Sequence, residues 1–285
     1  MAVGKTEVRW LVSSSEERDD RLRLRATFDA SADRYQRARP EYPPALFDSL
    51  IEFAQLQPGD QLLEIGCATG RATIPLAERG FAITGLELGP LLAAAGRRNL
   101  DRFENVVVVE ADFEQWAAPH DTRFDLVFAA TSWHWIDPAV RHRKAWEVLR
   151  PSGHLAVWRE NHVFPTGGDP FFREIQEVYE EIGEGLPADG VWPTPEDLED
   201  LEDQREEIEA SGLFEDVHAR RFDWATTYDA SGYIDLLDTF SGHIAMEPWQ
   251  RDRLYTEIRQ RLARRPDGRL RRHSGAVLYV ARRRD

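Results

Sequence analysis

One cysteine, Cys67, and two methionines are all the sulfur in 285 residues. A lone thiol closes no internal disulfide and builds no Cys-rich zinc site, so stability must come from packing, and a reducing, cytoplasmic location is expected. Long apolar runs are missing too. Nothing approaches the roughly 18 to 20 uncharged residues of a membrane span, and the first thirty residues carry charges instead of a signal-peptide apolar block, so no membrane partner is expected. Cationic charge is scarce: 36 Lys and Arg face 51 Asp and Glu, a formal net charge of −15. Polyanion affinity rests on cations that displace phosphate counterions, so no nucleic-acid partner is expected either. No repeat at solenoid periods is visible, and no His, Cys or carboxylate cluster has metal-ligand spacing, which predicts no metal.

What is present describes a folded chain. Hydrophobic residues make up 42% and charged residues 31%, far from the apolar poverty of disordered segments. The length suits one large or two small domains. Residues 1–27 mix charges with Ser and read as an N-terminal extension. From residue 46, LFDSLIEFAQL has helical apolar spacing behind Pro43 and Pro44, and QPGD closes it. Between residues 61 and 160, short apolar runs (QLLEI, FAITGLE, VVVVEAD, FDLVFAA, HLAVWRE) alternate with helical ones. That alternation predicts βαβ units and an α/β, doubly wound, mainly parallel sheet buried on both faces. Residues 161–216 read as an acidic helical lid inserted after the fifth strand. VHARRFDW and SGAVLYVARRR then supply a sixth and a seventh strand, with a helix pair between them, in a C-terminal part spanning 217–285.

Ligands of such sheets bind beyond the carboxyl ends of the strands. EIGCATG, residues 64–70, stands at the first of these ends. Its glycines allow a sharp turn and close backbone approach, and the helix start that follows favours polar or anionic groups. A dinucleotide fingerprint requires G-x-G-x-x-G, whereas here Gly66 and Gly70 flank Ala68, so NAD fits poorly. Glu87 ends the second strand, where a carboxylate accepts from both ribose hydroxyls; the alternative is a solvated turn acid. Asp112 and Phe113 follow the third strand and offer an acceptor for an amino group beside a ring for a base, or simply a core phenylalanine.

These segments together resemble the class I S-adenosylmethionine (SAM) dependent methyltransferases over about residues 28–160. LLEIGCATG is similar to their first motif, Glu87 to their ribose acid, EADFE to their adenine loop, FDLVFAATSWHWID to their fourth motif and VLRPSGHLAVW to the segment running through their fifth strand. FDASADRYQRARPEYP, SWHWID and the tail from TYDASGYIDLLDTFS onward resemble a small-molecule group related to trans-aconitate-type carboxyl methyltransferases. One departure is Ala68, where many members have Gly.

The resemblance implies a Rossmann-like, seven-stranded core with SAM as cofactor and S-adenosylhomocysteine (SAH) as product. It implies a cofactor set of Tyr35, Arg39, Glu64, Gly66, Cys67, Ala68, Gly70, Glu87, Leu88, Asp112, Phe113 and Ala129. Within that set the backbone at Gly66 and Ala68 faces the methionine end and Glu87 the ribose. Asp112 and Phe113 face adenine, and Arg39 pairs with the cofactor carboxylate or only pins the N-terminal arm. Trp133, His134, Trp135 and His162 are the candidate substrate pocket, with Trp158, Trp192 and Trp224 as possible extensions of its wall. His134 is the candidate base, of use for a hydroxyl acceptor and unnecessary for a carboxylate.

The expected function is methyl transfer to a small-molecule acceptor, an oxygen of an apolar or aromatic metabolite, by a monomer or homodimer. Two alternatives are an RNA methyltransferase, supported only by the Arg-rich stretch 251–284, and a SAM-fold protein without turnover, motivated by Ala68. Charge placement weighs against RNA: residues 174–209 carry 15 acids and one base, while residues 251–285 carry 12 bases and 4 acids. An acidic lid disfavours polyanions at the site mouth.

Overall fold

The computed structural model describes residues 37–119, 122–185, 192–198 and 204–285. Tyr35, the 1–27 extension and parts of the acidic insertion lie outside the described residues.

Strand β1 (Gln61–Ile65) is apolar but for its first residue and Glu64, and every residue after the first is buried. Strand β4 (Phe124–Ala130) is buried over six consecutive positions. Such runs have no polar face to give to water, so they form the centre of a parallel sheet covered on both sides. Helix α1 (Pro44–Ala54) starts on a proline at its first turn, stops at Gln55 in the left-handed region, and buries Leu46, Phe47 and Leu50. Helices α2 (Thr73–Ala77) and α3 (Pro90–Leu100) follow β1 and β2 (Ala82–Glu87), and α4 (Pro138–Val148) follows β4. The Asp137 side chain caps α4 by accepting from the Ala139 N–H at 3.0 Å.

With β3 (Val106–Glu110), β5 (Leu149–Trp158) and the long C-terminal β8 (Arg269–Arg283), the strand order is β3-β2-β1-β4-β5-β8. The first five strands run parallel and β8 runs antiparallel to β5. Strand β7 (Phe214–Asp229) lies antiparallel along β8 from Phe214 opposite Arg283 to Asp229 opposite Arg269. One element exceeds the expected seven strands. Asn161–Val163 forms a short β6 that pairs with Gly275–His273 of β8, because β8 extends past the end of β5 and leaves backbone groups to be satisfied.

The insertion contains α5 (Phe171–Glu174), α6 (Gln176–Glu181), a 3₁₀ turn (Pro195–Asp197) and α7 (Gln204–Ala210). Three helices, not two, separate β7 from β8: α8 (Ala230–Leu237), α9 (Ser241–Ala245) and α10 (Pro248–Ala263). Phe171, Ile175 and Val178 of the insertion share one apolar cluster with Ile234, Leu254 and Ile258 of the C-terminal helices. Charge follows the same seam. Arg253 pairs with Glu181 at 2.8 Å, Arg265 with Asp169 at 2.6 Å, and Arg261 with Glu177. The acidic and basic segments that look separate in the sequence are thus neutralised in part by one another. The exposed Arg253–Glu181 pair contributes little, whereas Arg265–Asp169 is largely buried; the apolar cluster carries most of the packing.

Candidate active site

The loop after β1 makes its turn with three residues at positive φ: Gly66 (72°), Ala68 (48°) and Gly70 (93°). A Cβ on Gly66 would lie 2.7 Å from the Ser132 Cβ, so glycine there permits the β1 and β4 ends to meet. The Gly66 and Cys67 N–H groups both donate to the Leu86 carbonyl, at 2.8 and 3.0 Å. Ala68 tolerates its left-handed conformation because its N–H donates to Glu87 Oε2 at 2.8 Å, and Glu87 Oε1 accepts from the Gly89 N–H at 2.9 Å. Gly96 of α3 matters as well: a Cβ there would stand 2.7 Å from the Ala68 carbonyl oxygen. The acid at the end of β2 thereby fixes the loop after β1.

A cavity of about 260 Å³ opens at the carboxyl ends of the strands. Gly66, Ala68, Glu87, Leu88 and Phe113 line it together with Arg39, His134, Trp135, Glu160 and Phe240. Eight residues singled out from the sequence therefore meet around one space. The others lie off its wall. Glu64 is buried and accepts a hydrogen bond from the Thr73 hydroxyl at 2.5 Å. Cys67 and Ala129 are packed inside. Gly70 shapes the turn, its N–H on the Cys67 carbonyl at 2.8 Å. Asp112 accepts from the Glu114 N–H at 3.1 Å and holds the loop that carries Phe113. Trp133 points into the core, edge-on to His142 at 5.3 Å with the Arg141 guanidinium 5.4 Å from its ring. His162 sits between Phe164 and Phe172, at 4.2 and 4.5 Å between ring centres. Trp158 stacks on Phe128 in the core at 5.8 Å, Trp224 meets Tyr42 and Trp192 meets Phe164.

Several wall residues are not singled out by sequence reasoning. Thr131 ends β4 at φ 60°, unusual for a β-branched residue, and shares a 2.9 Å hydrogen bond between its hydroxyl and that of Tyr42. Arg159 and Glu160 end β5, where the strand-end rule does point. Phe240 and Ser241 arrive from the α8–α9 junction, the end of the segment TYDASGYIDLLDTFS whose resemblance marks it without assigning it to the site. Arg39 reaches that junction too: Nε donates to the Thr239 hydroxyl and Nη2 to its carbonyl, both at 2.9 Å, and the guanidinium lies 4.3 Å from the Phe240 ring centre. Arg39 thus both lines the cavity and pins the arm.

The site is electrically uneven. Burial, opposed by the Thr73 hydrogen bond and aided by the nearby Glu87 charge, pushes the Glu64 carboxyl up to about 8. Burial and the Glu64 and Glu87 charges push the Cys67 thiol up, away from reactive thiolate. Burial, then Arg159, Arg141 and Arg39, hold His134 well below its ordinary value, so its ring is neutral near pH 7. Burial and Arg272 push His162 down to about 2.

Residues 63–157 match the methyltransferase domain family. Among curated relatives, an uncharacterized methyltransferase of Mycobacterium tuberculosis is 27% identical over 242 residues, covering 84% of this chain and 87% of the relative. A trans-aconitate 2-methyltransferase of Deinococcus radiodurans is 29% identical over 102 residues, 35% of this chain and 38% of that one. A solved structure from Anaeromyxobacter dehalogenans, a candidate type II methyltransferase, shares the fold with a TM-score of 0.58 at 22% identity, covering 86% of this chain and 97% of that one. The chain is a SAM-dependent methyltransferase. The site suits that cofactor. A carboxylate has acceptor positions enough for two backbone N–H groups and a pair of ribose hydroxyls, and the buried Phe113 ring lines the same cavity. SAM supplies a methyl group already activated on a sulfonium. The methyltransferase's own residues must align the acceptor, exclude water and leave a route for any released proton, and alignment alone is worth on the order of 7 to 11 kcal/mol near attack geometry.

Proposed function

We propose that this methyltransferase acts on an oxygen, carboxylate or hydroxyl, of a small apolar or aromatic molecule. The observation that carries the reading is the continuity of one small cavity from Gly66, Glu87 and Phe113 to His134, Trp135 and Phe240. In this reading Glu87 holds the ribose, the backbone at Gly66 and Ala68 faces the methionine end, Phe113 with Asp112 serves adenine, and Arg39 meets the cofactor carboxylate. The partial likeness to a trans-aconitate methyltransferase supports a small metabolite as the acceptor. The O–CH₃ bond forms as the S–CH₃ bond breaks. A carboxylate acceptor releases no proton; a hydroxyl releases one, for which the receiver is the lone pair of neutral His134 or another basic atom at the cavity wall.

The basic stretch supports RNA less than its charge suggests, since Arg253, Arg261, Arg265 and Arg282 are bonded to carboxylates of the same chain. The test is calorimetric titration with SAH, followed by incubation with SAM and a panel of small acids, alcohols and phenols, read by mass spectrometry. SAH binding with methyl ester or ether products is expected. Binding without any such product would refute the acceptor class, and methylated RNA would replace it.

A further inference from the structure

The cavity wall holds a carboxylate that the reading above does not use. Glu160 lines the cavity, yet its side chain is only 6% exposed. Its Oε1 accepts from Arg272 Nη1 at 2.8 Å and from the Ser274 hydroxyl at 3.0 Å, and Arg272 Nη1 also donates to Ser274 Oγ at 2.6 Å. The Glu160 N–H donates to Thr131 Oγ1 at 3.1 Å, which fixes the backbone as well. Arg272 is equally buried, on β8 behind the wall, with its guanidinium 5.9 Å from the Phe240 ring centre. Both bonds to the carboxylate end on Oε1, and among the described residues none donates to Oε2. The clamp thus balances the charge and fixes the rotamer from behind while leaving an acceptor oxygen without a protein donor at a cavity wall.

Once an acceptor fills the cavity and excludes water, a carboxylate oxygen here is costly unless a donor meets it. We propose that Glu160 is a specificity-determining residue whose Oε2 accepts a hydrogen bond from the acceptor's own hydroxyl, so that the site takes an alcohol or phenol and rejects a bare carboxylate. This rests on the oxygen-acceptor reading and narrows it. A carboxylate brings no donor and adds a like charge beside Glu160. Sites built to bond a substrate hydroxyl discriminate against partners lacking it by as much as ~10⁴-fold, because the buried polar group is then left unpaired. Arg272 and Ser274 act through Glu160 as positioning residues.

Glu160→Gln tests this directly, since the amide oxygen can keep Arg272 and Ser274 while the amide N–H₂ replaces Oε2, turning a cavity acceptor into a donor. The probes are benzyl alcohol and benzoate, titrated by NMR into protein saturated with SAH. Wild-type protein is expected to bind benzyl alcohol at least about tenfold tighter than benzoate, and Glu160→Gln to shrink that ratio about tenfold or invert it, with SAH affinity within about threefold. A wild-type preference for benzoate assigns acceptor recognition to Arg159 and overturns the proposal, as does equal or undetectable binding of the two probes or a ratio unmoved by the variant. If the variant fails to fold, wild-type crystals with SAH and benzyl alcohol decide: the hydroxyl within hydrogen-bond distance of Oε2 supports the proposal, and any other placement overturns it. Failure of the wild type to bind SAH at all would instead sink the underlying methyl-transfer reading.

Discussion

Glu64→Gln replaces a buried carboxyl by a neutral side chain of nearly the same shape, and its effect on stability should depend on pH in a calculable way. In the folded chain the Glu64 carboxyl titrates near 8 instead of 4.5, because burial outweighs the Thr73 hydrogen bond. The unfolded chain sheds this proton above about pH 4.5 while the folded chain keeps it. The group's contribution to stability is therefore complete below that pH and is lost progressively as pH rises through the folded value near 8. At about 1.4 kcal/mol per pH unit the loss totals on the order of 5 kcal/mol. Gln carries no such proton, so the variant should match the wild type within about 1 kcal/mol near pH 5 and exceed it by several kcal/mol near pH 8.5. The buried histidines His142, His154 and His243, held near 4 chiefly by burial, titrate alike in both proteins and cancel in the difference. Urea unfolding followed by tryptophan fluorescence across that range measures it, and the gap corresponds to a melting shift on the order of 10 °C. Stability curves that run parallel in the two proteins would refute the assignment of a buried proton to Glu64. Because its carboxyl does not line the cavity, SAH affinity should stay within a few-fold.

Glu87→Ala removes the acceptor of the Ala68 and Gly89 N–H groups and should weaken SAH binding at least about tenfold by calorimetry, the loss of one or more charge-assisted bonds. Gly66→Ala forces a Cβ to within 2.7 Å of Ser132 at positive φ, so it should cost about 1–3 kcal/mol in urea unfolding and abolish tight SAH binding. His134→Ala should leave SAH binding intact and lower turnover. Since burial and three arginines keep the ring neutral, the wild-type turnover profile should show no His134 inflection near pH 6.5; an inflection there that vanishes in the variant would contradict this account.

How much was legible depended on whether a residue's role followed from its neighbours in the chain. Gly66, Glu87 and Phe113 stand at strand ends, and strand ends follow from apolar periodicity, so their meeting around one cavity is a consequence of a parallel sheet. Direction was less accessible. Trp133, His134 and Trp135 are consecutive in a 3₁₀ turn, yet Trp133 faces the core while the next two face the cavity, a choice made by Arg141 and His142 on α4. Glu64 and Glu87 are both strand acids in the same region; the register of β1 against β2 and the approach of Thr73 send one inward and leave the other on the wall. Phe240 and Ser241 reach the site across the apolar cluster of insertion and C-terminal helices, and no local pattern encodes that arrival.

The sequence by itself determined the doubly wound sheet, the glycine turn at the cavity and the acid that steadies it, because hydrophobic period and backbone conformation are properties of short segments. Tertiary structure alone decided the electrostatics. It joined the acidic insertion to the basic C-terminal helix, made a neutral acid of Glu64 and a neutral ring of His134, and set Glu160 at the cavity wall against Arg272. Charge acts through space and burial, and both are set only when distant segments of the chain close on one another.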